Sequence, residues 1–518
     1  MQLKFWINPL KSPVNILRIL VAQMGANDRS KVRHWLRRGT RPLALGLILL
    51  LAACAGHDIE IPKQAGLPPS APQTVGADTI ASAEHKRLVA QFGGEYHWPA
   101  AQDYLNNILA RLASDSEAQG KAYRVTILNS PVVNAFALPS GNLYVTRGLL
   151  ALANDTSEVA AVMAHEIAHV TARHAAQRAE LEKQSAVISR AARVIQNQEK
   201  GQELLHLSQR SLASFSRQQE LDADQIGVRV IAKSGFDAFA ASRFLASLGR
   251  STALRGSLIG GRKGGDAHPD ILSTHPSTPE RVGKAILAAR QFGAPGLGNA
   301  GRSEYLAAID GIAFGDDTSE GIIRGQRFLH PKLGFGFSAP PGFMLDNSAK
   351  ALLGIANGGN EALRLDSVKL PSTTTLEAYL ASGWIDGLQQ ATISSGTVNG
   401  LPYATATARG GEWSFRLAAI RLGTDVYRMI FATRALTDEN DRVFRESIES
   451  FRRISHDEAT NVHPLRLVIA TASGGDTAEA FAARIIAPDR PLEYFELLNG
   501  LERGGPLKPG EKYKLVME

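Results

Sequence analysis

Two histidines and a glutamate lie within five residues, in the order His165-Glu166-Ile167-Ala168-His169. An α-helix turns about 100° per residue, so both imidazoles lie on one face and can bind the same Zn²⁺. The Glu166 carboxylate lies beside the first histidine, where it can take a proton from a metal-bound water and pass it to a leaving amine. The pattern predicts a hydrolytic zinc site, although chance produces it in about one of a few dozen chains.

An acidic pair further along the chain can complete such a site. Glu220 and Asp224 lie four residues apart and therefore also share a helix face. A catalytic zinc takes three protein ligands and keeps one position for water, and Glu220 with the two histidines makes up that number for one Zn²⁺ per chain. Asp224 is then placed to accept the distal N–H of a zinc-bound histidine. The alternative is that both carboxylates belong to a solvated acidic face.

Helices are predicted around both motifs. Asp155 with Glu158 is typical of a helix N-cap and its box partner, and this helix is expected to run to about Arg178. A second helical stretch, Glu180–Lys233, contains two polar breaks and carries the acidic pair. We interpret His174, on the same broad face as the first histidine, as a polar helix residue rather than a ligand.

The preceding segment is predicted to combine a helix with short strands. Pro99 opens an amphipathic helix, and Tyr123–Leu128 alternates as a strand. Val133–Leu138 and Leu143–Thr146 flank Pro139-Ser140-Gly141-Asn142, a turn signal typical of a hairpin.

Four segments together resemble one peptidase group. HEIAH, ELDAD about fifty residues later, NSPVVNAFALPSGNLYVTRGLLAL and STHPSTPERV are similar to the gluzincin peptidases of the HtpX and CAAX prenyl-protease group, in its soluble periplasmic lipoprotein branch. The resemblance covers about residues 83–290. It implies an exposed edge strand that binds the backbone of unfolded polypeptide by β-augmentation, formed by Asn134, Ala135, Phe136 and Ala137. It also implies the following roles: zinc ligands His165, His169 and Glu220, general base Glu166, and Asp224 as partner of a ligand histidine.

His275 lies in a Gly-, His- and Pro-rich stretch, residues 255–280, that predicts a mobile loop. Its imidazole could occupy the open position of the zinc in a resting state, or stabilise the oxyanion in the working state. The alternative is a loop histidine that caps a neighbouring helix, and a motif match alone does not decide between them.

The N-terminal region predicts a bacterial lipoprotein signal. Of the net charge of +7, residues 1–53 contribute +8 (nine Lys or Arg, one Asp), so the rest carries −1, and no nucleic-acid partner is expected. An eleven-residue apolar run is too short to span a bilayer and ends in Leu51-Ala52-Ala53-Cys54, which resembles a lipobox. Cys54 would carry the lipid, with the outer membrane favoured over the inner because Ala55 follows it. A free, buried cysteine in a short anchor helix is the alternative. The start codon is Met1 or Met24, and Arg37-Arg38 is a weaker twin-arginine candidate.

The sequence thus predicts an α+β multidomain protein. After the signal (1–53) and a lipidated linker (54–82) come a mostly helical zincin domain with a small edge-strand sheet (83–320), a PsbP/Mog1-like α/β sandwich (325–457) and a βααβ LysM-like module (463–518). The resemblance implies a zinc metalloendopeptidase that faces the periplasm, acts on unfolded or misassembled envelope proteins and is held to a membrane by its lipid. Binding of peptidoglycan by the LysM-like tail is left open. The alternatives are a zinc hydrolase that cuts peptidoglycan peptides and a non-catalytic, chaperone-like assembly lipoprotein.

Overall fold

The structure is a computed structural model, and it describes residues 75–115, 122–194, 198–258, 275, 278–298, 300–348, 351–383, 385–486 and 490–518. All but the first three of the described residues belong to one compact unit, Asp78–Glu518. The predicted signal, Cys54 and most of the predicted linker lie outside the described residues. Among the described helices, none is both long and apolar enough to cross a bilayer.

Helices surround a small sheet in the first half. The helices are α1 (Val75–Gln91), α2 (Pro99–Asp115), α3 (Arg147–Leu152), α4 (Thr156–Thr171), α5 (His174–Val194), α6 (Gln198–Lys233), α7 (Ala240–Leu258), α8 (Pro279–Ala289) and α9 (Arg302–Ile309). The strands are β1 (Arg124–Leu128), β2 (Ala135–Ala137) and β3 (Asn142–Thr146). They pair in the order β1-β3-β2, with β1 and β3 parallel and β2 antiparallel to β3. The predicted hairpin is therefore present, and β2 is at the sheet edge.

The helix α4 is buried from Thr156 through Ala168, as its Ala- and Val-rich sequence requires. The Asp155 side chain accepts a hydrogen bond from the Glu158 backbone N–H, as predicted for an N-cap. The Glu158 carboxylate accepts from Asn154 N at 2.9 Å, one residue before the cap. The cap therefore fixes both the first turn of α4 and the segment that leads into it.

The predicted continuation of α4 to Arg178 is wrong. The helix ends at Thr171, and Arg173 adopts a left-handed conformation with φ of 55° before α5 begins at His174. Ala172 N instead donates to Ala168 O and closes the last turn. The break allows α5 to turn away and α6 to pack on α4. The two helices come close together at Gly227 of α6, which has no side chain. A Cβ at this position would lie only 3.3 Å from the backbone N of His165.

Two antiparallel sheets follow, one of seven strands and one of four. After β4 (Ala313–Phe314), the strands are β5 (Ile322–Arg324), β6 (Arg327–His330), β7 (Phe335–Ser338), β8 (Met344–Asn347), β9 (Leu352–Ala356), β10 (Glu361–Lys369), β11 (Leu388–Val398), β12 (Leu401–Gly410), β13 (Trp413–Leu422), β14 (Asp425–Thr433) and β15 (Arg452–Arg453). The larger sheet has the order β11-β12-β13-β14-β10-β9-β8, and the smaller has the order β15-β7-β6-β5. The helices are α10 (Leu376–Leu380), α11 (Asp438–Glu449) and α12 (His456–Thr460). One apolar cluster joins both sheets to α11 through Phe337, Phe431 and Phe444, and a second packs α10 on the large sheet. The predicted α+β class is confirmed, and the domain boundaries and PsbP/Mog1-like type stay predictions.

The C-terminal residues have the predicted βααβ order: β16 (Leu465–Thr471), α13 (Ala478–Ala482), α14 (Pro491–Leu498) and β17 (Lys512–Met517). Strand β16 pairs with β17 and also with β4 (Ala313–Phe314) from the segment after α9. Side chains of this unit, including Leu467, Phe495 and Leu515, lie in the same apolar cluster as Leu105 and Val159. The βααβ unit therefore packs on the core that carries α4. Its LysM-like type stays a prediction.

Candidate metal centre

Four side chains from three parts of the chain converge on one point. His165 and His169 come from α4, Glu220 from α6 and His275 from the segment before α8, and their ligand atoms lie within 4.8 Å of one another. The Nε2 atoms of the two α4 histidines are 3.0 Å apart, and each lies 3.5 Å from a Glu220 oxygen. Nδ1 of His275 is 3.0 Å from Glu220 and 3.4 Å from Nε2 of His165.

These distances fit a bound zinc ion. With bonds of ~2.0–2.1 Å, tetrahedral geometry separates neighbouring ligand atoms by about 3.3 Å. Two imidazole nitrogens that face one another at 3.0 Å beside a carboxylate are the donor set that a divalent cation bridges. Moreover, Oε1 of Glu166 is buried and has no hydrogen-bond partner in the described part of the chain. Such an atom requires a polar group, for example a water, in the space beside the cluster.

A buried ion-pair network lies behind the ligands. Asp224 Oδ1 is 3.0 Å from Nδ1 of His165, on the side of the ring away from the cluster. Arg281 of α8 donates from Nε and Nη2 to the two Asp224 oxygens, each at 2.7 Å, and its Nη1 lies 2.9 Å from Glu220. Arg281 is only 3% exposed, so these contacts are made in the interior. One guanidinium thus fixes both carboxylates of the acidic pair.

The network sets the charges of the site. Burial acts against ionisation of Glu220, but hydrogen bonds from His165 and His275 outweigh it and hold the Glu220 pKa well below its usual range. In the same way Arg281 and His165 overcome burial and lower the Asp224 pKa. For His165, burial alone would lower the pKa, and the two carboxylates raise it to about 10. The acidic pair therefore stays ionised, which favours a cation at the site.

Glu166 has a different environment from the acidic pair. It is 3% exposed, and its Oε1 lies 3.9 Å from Nε2 of His275. Burial raises the pKa of Glu166 above its ordinary value, and the positive charges of His275 and His165 only partly offset this. A carboxylate with a raised pKa is a better proton acceptor than an ordinary surface glutamate.

Arg281 was missed in the sequence, and His174, predicted not to be a ligand, lies outside the ligand cluster but contacts one of its histidines. Arg281 is part of STHPSTPERV, but nothing in its spacing relates it to residues about sixty positions earlier. His174 is buried, with Nδ1 3.0 Å from Nδ1 of His169, and its carbonyl accepts from Gln219 at 2.9 Å. It therefore orients the outer nitrogen of His169 rather than facing solvent. The contact between His174 and His169 depends on the helix break just before His174. Because one continuous helix to Arg178 was expected, the sequence did not indicate this contact.

The neighbours of the cluster form a cleft of about 410 Å³. One wall is polar and contains His165, Glu166 and His275. The other is apolar and is formed by side chains of α4 and α7, namely Val162, Ala241, Phe244, Leu245 and Leu248. At the sheet edge, Ala135 is buried, while Phe136 and Ala137 are half-buried and Phe136 stacks on Tyr144 with ring centroids 4.8 Å apart. The nearby Asn134 is buried and its backbone N–H donates to Thr146.

Two histidines one turn apart on a helix, with a glutamate between them and a carboxylate from a second helix, define the gluzincin class of zinc peptidases. Residues 99–287, about a third of the chain, match the sequence model described as Peptidase family M48, and this match indicates a zinc metallopeptidase.

The chain is similar to curated peptidases over part of its length. It is 29% identical to the beta-barrel assembly-enhancing protease of Escherichia coli K12 over 204 residues, 38% of this chain and 40% of that protein. It is 34% identical to the mitochondrial metalloendopeptidase OMA1 of Arabidopsis thaliana over 169 residues, 33% of this chain and 32% of that protein. The matched part thus spans about two fifths or less of these relatives.

Part of the chain was also compared with the solved structure of another protein. The solution structure of cyanobacterial PsbP from Synechocystis is 17% identical and covers 27% of this chain and 98% of that chain, with a TM-score of 0.21. A score this low carries no argument about fold or function.

Proposed function

We propose that this chain is a zinc-dependent metalloendopeptidase of the bacterial cell envelope that hydrolyses peptide bonds in unfolded or misassembled envelope proteins. The observation that carries the proposal is the convergence of His165, His169 and Glu220 beside the buried carboxylate of Glu166. These three residues would bind one Zn²⁺, and the Asp224 carboxylate, 3.0 Å from Nδ1 of His165, would hold that ring in place.

Glu166 is the proposed general base. Bound zinc would polarise the scissile carbonyl and acidify a water. Glu166 would accept a proton from that water at its buried Oε1, which has no partner in the described residues, and would then pass it to the leaving amine. Its apolar surroundings favour this role, because they raise the pKa of the carboxyl. The ion pair of Arg281 with Asp224 holds the imidazole of His165 in one orientation during the reaction.

The surroundings of the site favour an extended, partly apolar substrate. Strand β2 is at the edge of its sheet. The backbone of an extended polypeptide could form hydrogen bonds with this strand along residues 134–137. The apolar wall formed by α7 offers Phe244 and Leu248 to a side chain next to the scissile bond. Unfolded proteins expose such side chains, whereas the short peptides of peptidoglycan offer few of them.

The location is proposed on the sequence and on the relatives. A lipid on Cys54 would hold the chain on a membrane facing the periplasm, the outer membrane rather than the inner. The name of the Escherichia coli relative refers to barrel assembly, which favours envelope proteins as substrates. The βααβ order of the tail is compatible with a LysM-like module, so peptidoglycan is a second proposed partner.

Hydrolysis of an unfolded casein-like protein by the zinc-loaded mature chain tests the function. Activity should disappear after zinc is removed by a chelator and return with one equivalent of Zn²⁺ per chain, because zinc supplies the reactive water. Purified peptidoglycan in a parallel reaction should remain uncut. Cleavage of peptidoglycan with intact casein would establish the first alternative, and zinc binding with no hydrolysis of either would favour the chaperone-like one.

Substitution of His275 by alanine should increase casein cleavage by roughly tenfold at unchanged zinc content. Nδ1 of His275 lies within the ligand cluster, so we propose that its imidazole occupies the open position of the zinc for most of the time. If the site is open about a tenth of the time, removing the competitor gives this increase. His463, exposed and remote in sequence, provides the control substitution. A decrease in the His275→Ala rate would instead indicate the oxyanion role, and no change would exclude both roles.

A further inference from the structure

Lys514 of β17 has no exposed surface, and its side chain contacts the end of α3, the helix that precedes α4. Its Nζ donates to the carbonyls of Ala151 and Ala153, each at 2.7 Å, and approaches that of Leu152 at 3.4 Å. These carbonyls belong to the last turn of α3 and the residue that follows it, where a helix leaves its carbonyl groups without intrahelical partners. A lysine Nζ at a helix C-terminus satisfies such carbonyls by donating hydrogen bonds to them.

The carbonyls that accept from Lys514 lead directly into the α4 cap. Burial lowers the pKa of Lys514 well below its ordinary value, and the Glu158 and Asp155 carboxyls oppose this only in part. The Glu158 carboxylate in turn accepts from Asn154 N at 2.9 Å, and Asp155 caps α4. Lys514 therefore holds the carbonyls of Ala151 and Ala153, and the bond of Asn154 to Glu158 follows in the next residues. Removal of the lysine would leave those buried carbonyls without their hydrogen bonds.

Backbone hydrogen bonds of β17 also fix Lys514 and connect the strand to the segment before α4. Asn499 accepts from Lys514 N at 2.7 Å and donates to Lys514 O at 3.0 Å, which fixes the lysine at the middle of its strand. Arg302 donates to Asn154 O at 2.9 Å and to Lys512 O at 3.2 Å, so it links the tail directly to the residue before the α4 cap.

The apolar contacts are those of one core rather than of two docked domains. Phe481, Phe495 and Tyr513 of the tail lie in the cluster that contains Leu152 and Val159. The pairing of β16 with β4 adds backbone hydrogen bonds between the two segments. Interfaces that are large and apolar hold domains in a fixed arrangement, whereas tethered modules move independently.

We propose that the C-terminal βααβ unit is a fixed part of the peptidase fold, and that Lys514 is a positioning residue which holds the segment leading into α4. His165 lies ten residues beyond Asp155, about three helical turns along a rigid helix. A shift at the cap is therefore carried to both ligand histidines, and shifts of about 1 Å are enough to change the geometry of a catalytic site.

The first test is made on the full chain with Glu166→Gln, so that self-cleavage cannot interfere. A recognition sequence for a specific protease is inserted after Asn461, which is exposed between α12 and β16. After cutting, the fragment from residue 462 onward should co-elute with the rest in gel filtration, and zinc affinity should be retained. Release of the fragment from a remainder that keeps its zinc affinity would overturn the proposal.

The second test compares Lys514→Met with Lys512→Met, a lysine of the same strand whose side chain is partly exposed. Zinc affinity, measured well below the melting temperature, should be about tenfold weaker in Lys514→Met and within about twofold of the parent in Lys512→Met. A purely structural lysine would lower the melting temperature and leave zinc affinity unchanged, and that result would exclude the positioning role. If Lys514→Met does not fold, the cut chain still decides whether the unit is fixed. Neither readout requires peptidase activity, so failure here is separate from failure of the proposed function.

Discussion

Replacement of Glu166 by glutamine is expected to reduce kcat by about 10²–10⁴-fold with bound zinc unchanged. The amide keeps the size and the burial of the side chain, but it cannot take a proton from the reacting water. The loss corresponds to about 3–5 kcal/mol of transition-state stabilisation. Zinc should stay because none of the converging ligand atoms belongs to Glu166.

The measurement is casein hydrolysis under single-turnover conditions, beside metal analysis of the same samples. Glu182→Gln is the matched control, since Glu182 is exposed on α5 and pairs with Arg178 at the surface. Its kcat should equal that of the parent. A Glu166→Gln sample that holds one zinc and retains more than about a tenth of the activity would exclude Glu166 as the base.

Replacement of Arg281 by methionine is expected to lower the free energy of unfolding of the zinc-free protein by about 3–5 kcal/mol. Arg281 is buried between Glu220 and Asp224, and its removal leaves two ionised carboxylates in the interior without their shared cation. Saturating zinc should recover part of the loss, because the metal supplies positive charge next to Glu220.

Urea unfolding with and without zinc measures both quantities. Lys284→Met is the control on the same helix, where the lysine is exposed and pairs with Glu280, and its effect should stay within about 0.5 kcal/mol. Arg281→Lys should fall between the two, since an ammonium keeps the charge but not the two parallel bonds to Asp224. A loss in Arg281→Met no larger than that of the control would mean that the carboxylates are neutral or solvated.

Local spacing was sufficient for the residues that share a helix face. His165 with His169, and Glu220 with Asp224, are each four residues apart, and α-helical geometry alone brings each pair to one side. The N-cap at Asp155 and the hairpin of β2 and β3 also depend on neighbours in sequence. The two helices α4 and α6 cross closely at Gly227, and no periodic pattern in the sequence predicts this crossing.

Contacts between distant segments could not be predicted. Arg281 and Asp224 are 57 residues apart, and Lys514 and Ala151 are 363 apart. The end of α4 was missed because Arg173 is neither glycine nor asparagine, the usual residues for a left-handed break. The βααβ unit has a self-contained element order, so the sequence offered no reason to expect that its apolar side chains complete the core around Val159.

The pairing of β16 with β4 has a consequence for the order of events during synthesis. Ala313 and Arg466 are neighbours in one sheet, yet the residues that form β5 to β15 are synthesised after the first and before the second. Closing so long a loop is slow, and the earlier segment must wait with part of its apolar surface uncovered. In a nascent chain, the apolar core around α4 is therefore incomplete until β17 has been synthesised. Any peptidase activity at this helix would therefore begin only after the C-terminal strand has been added to the sheet.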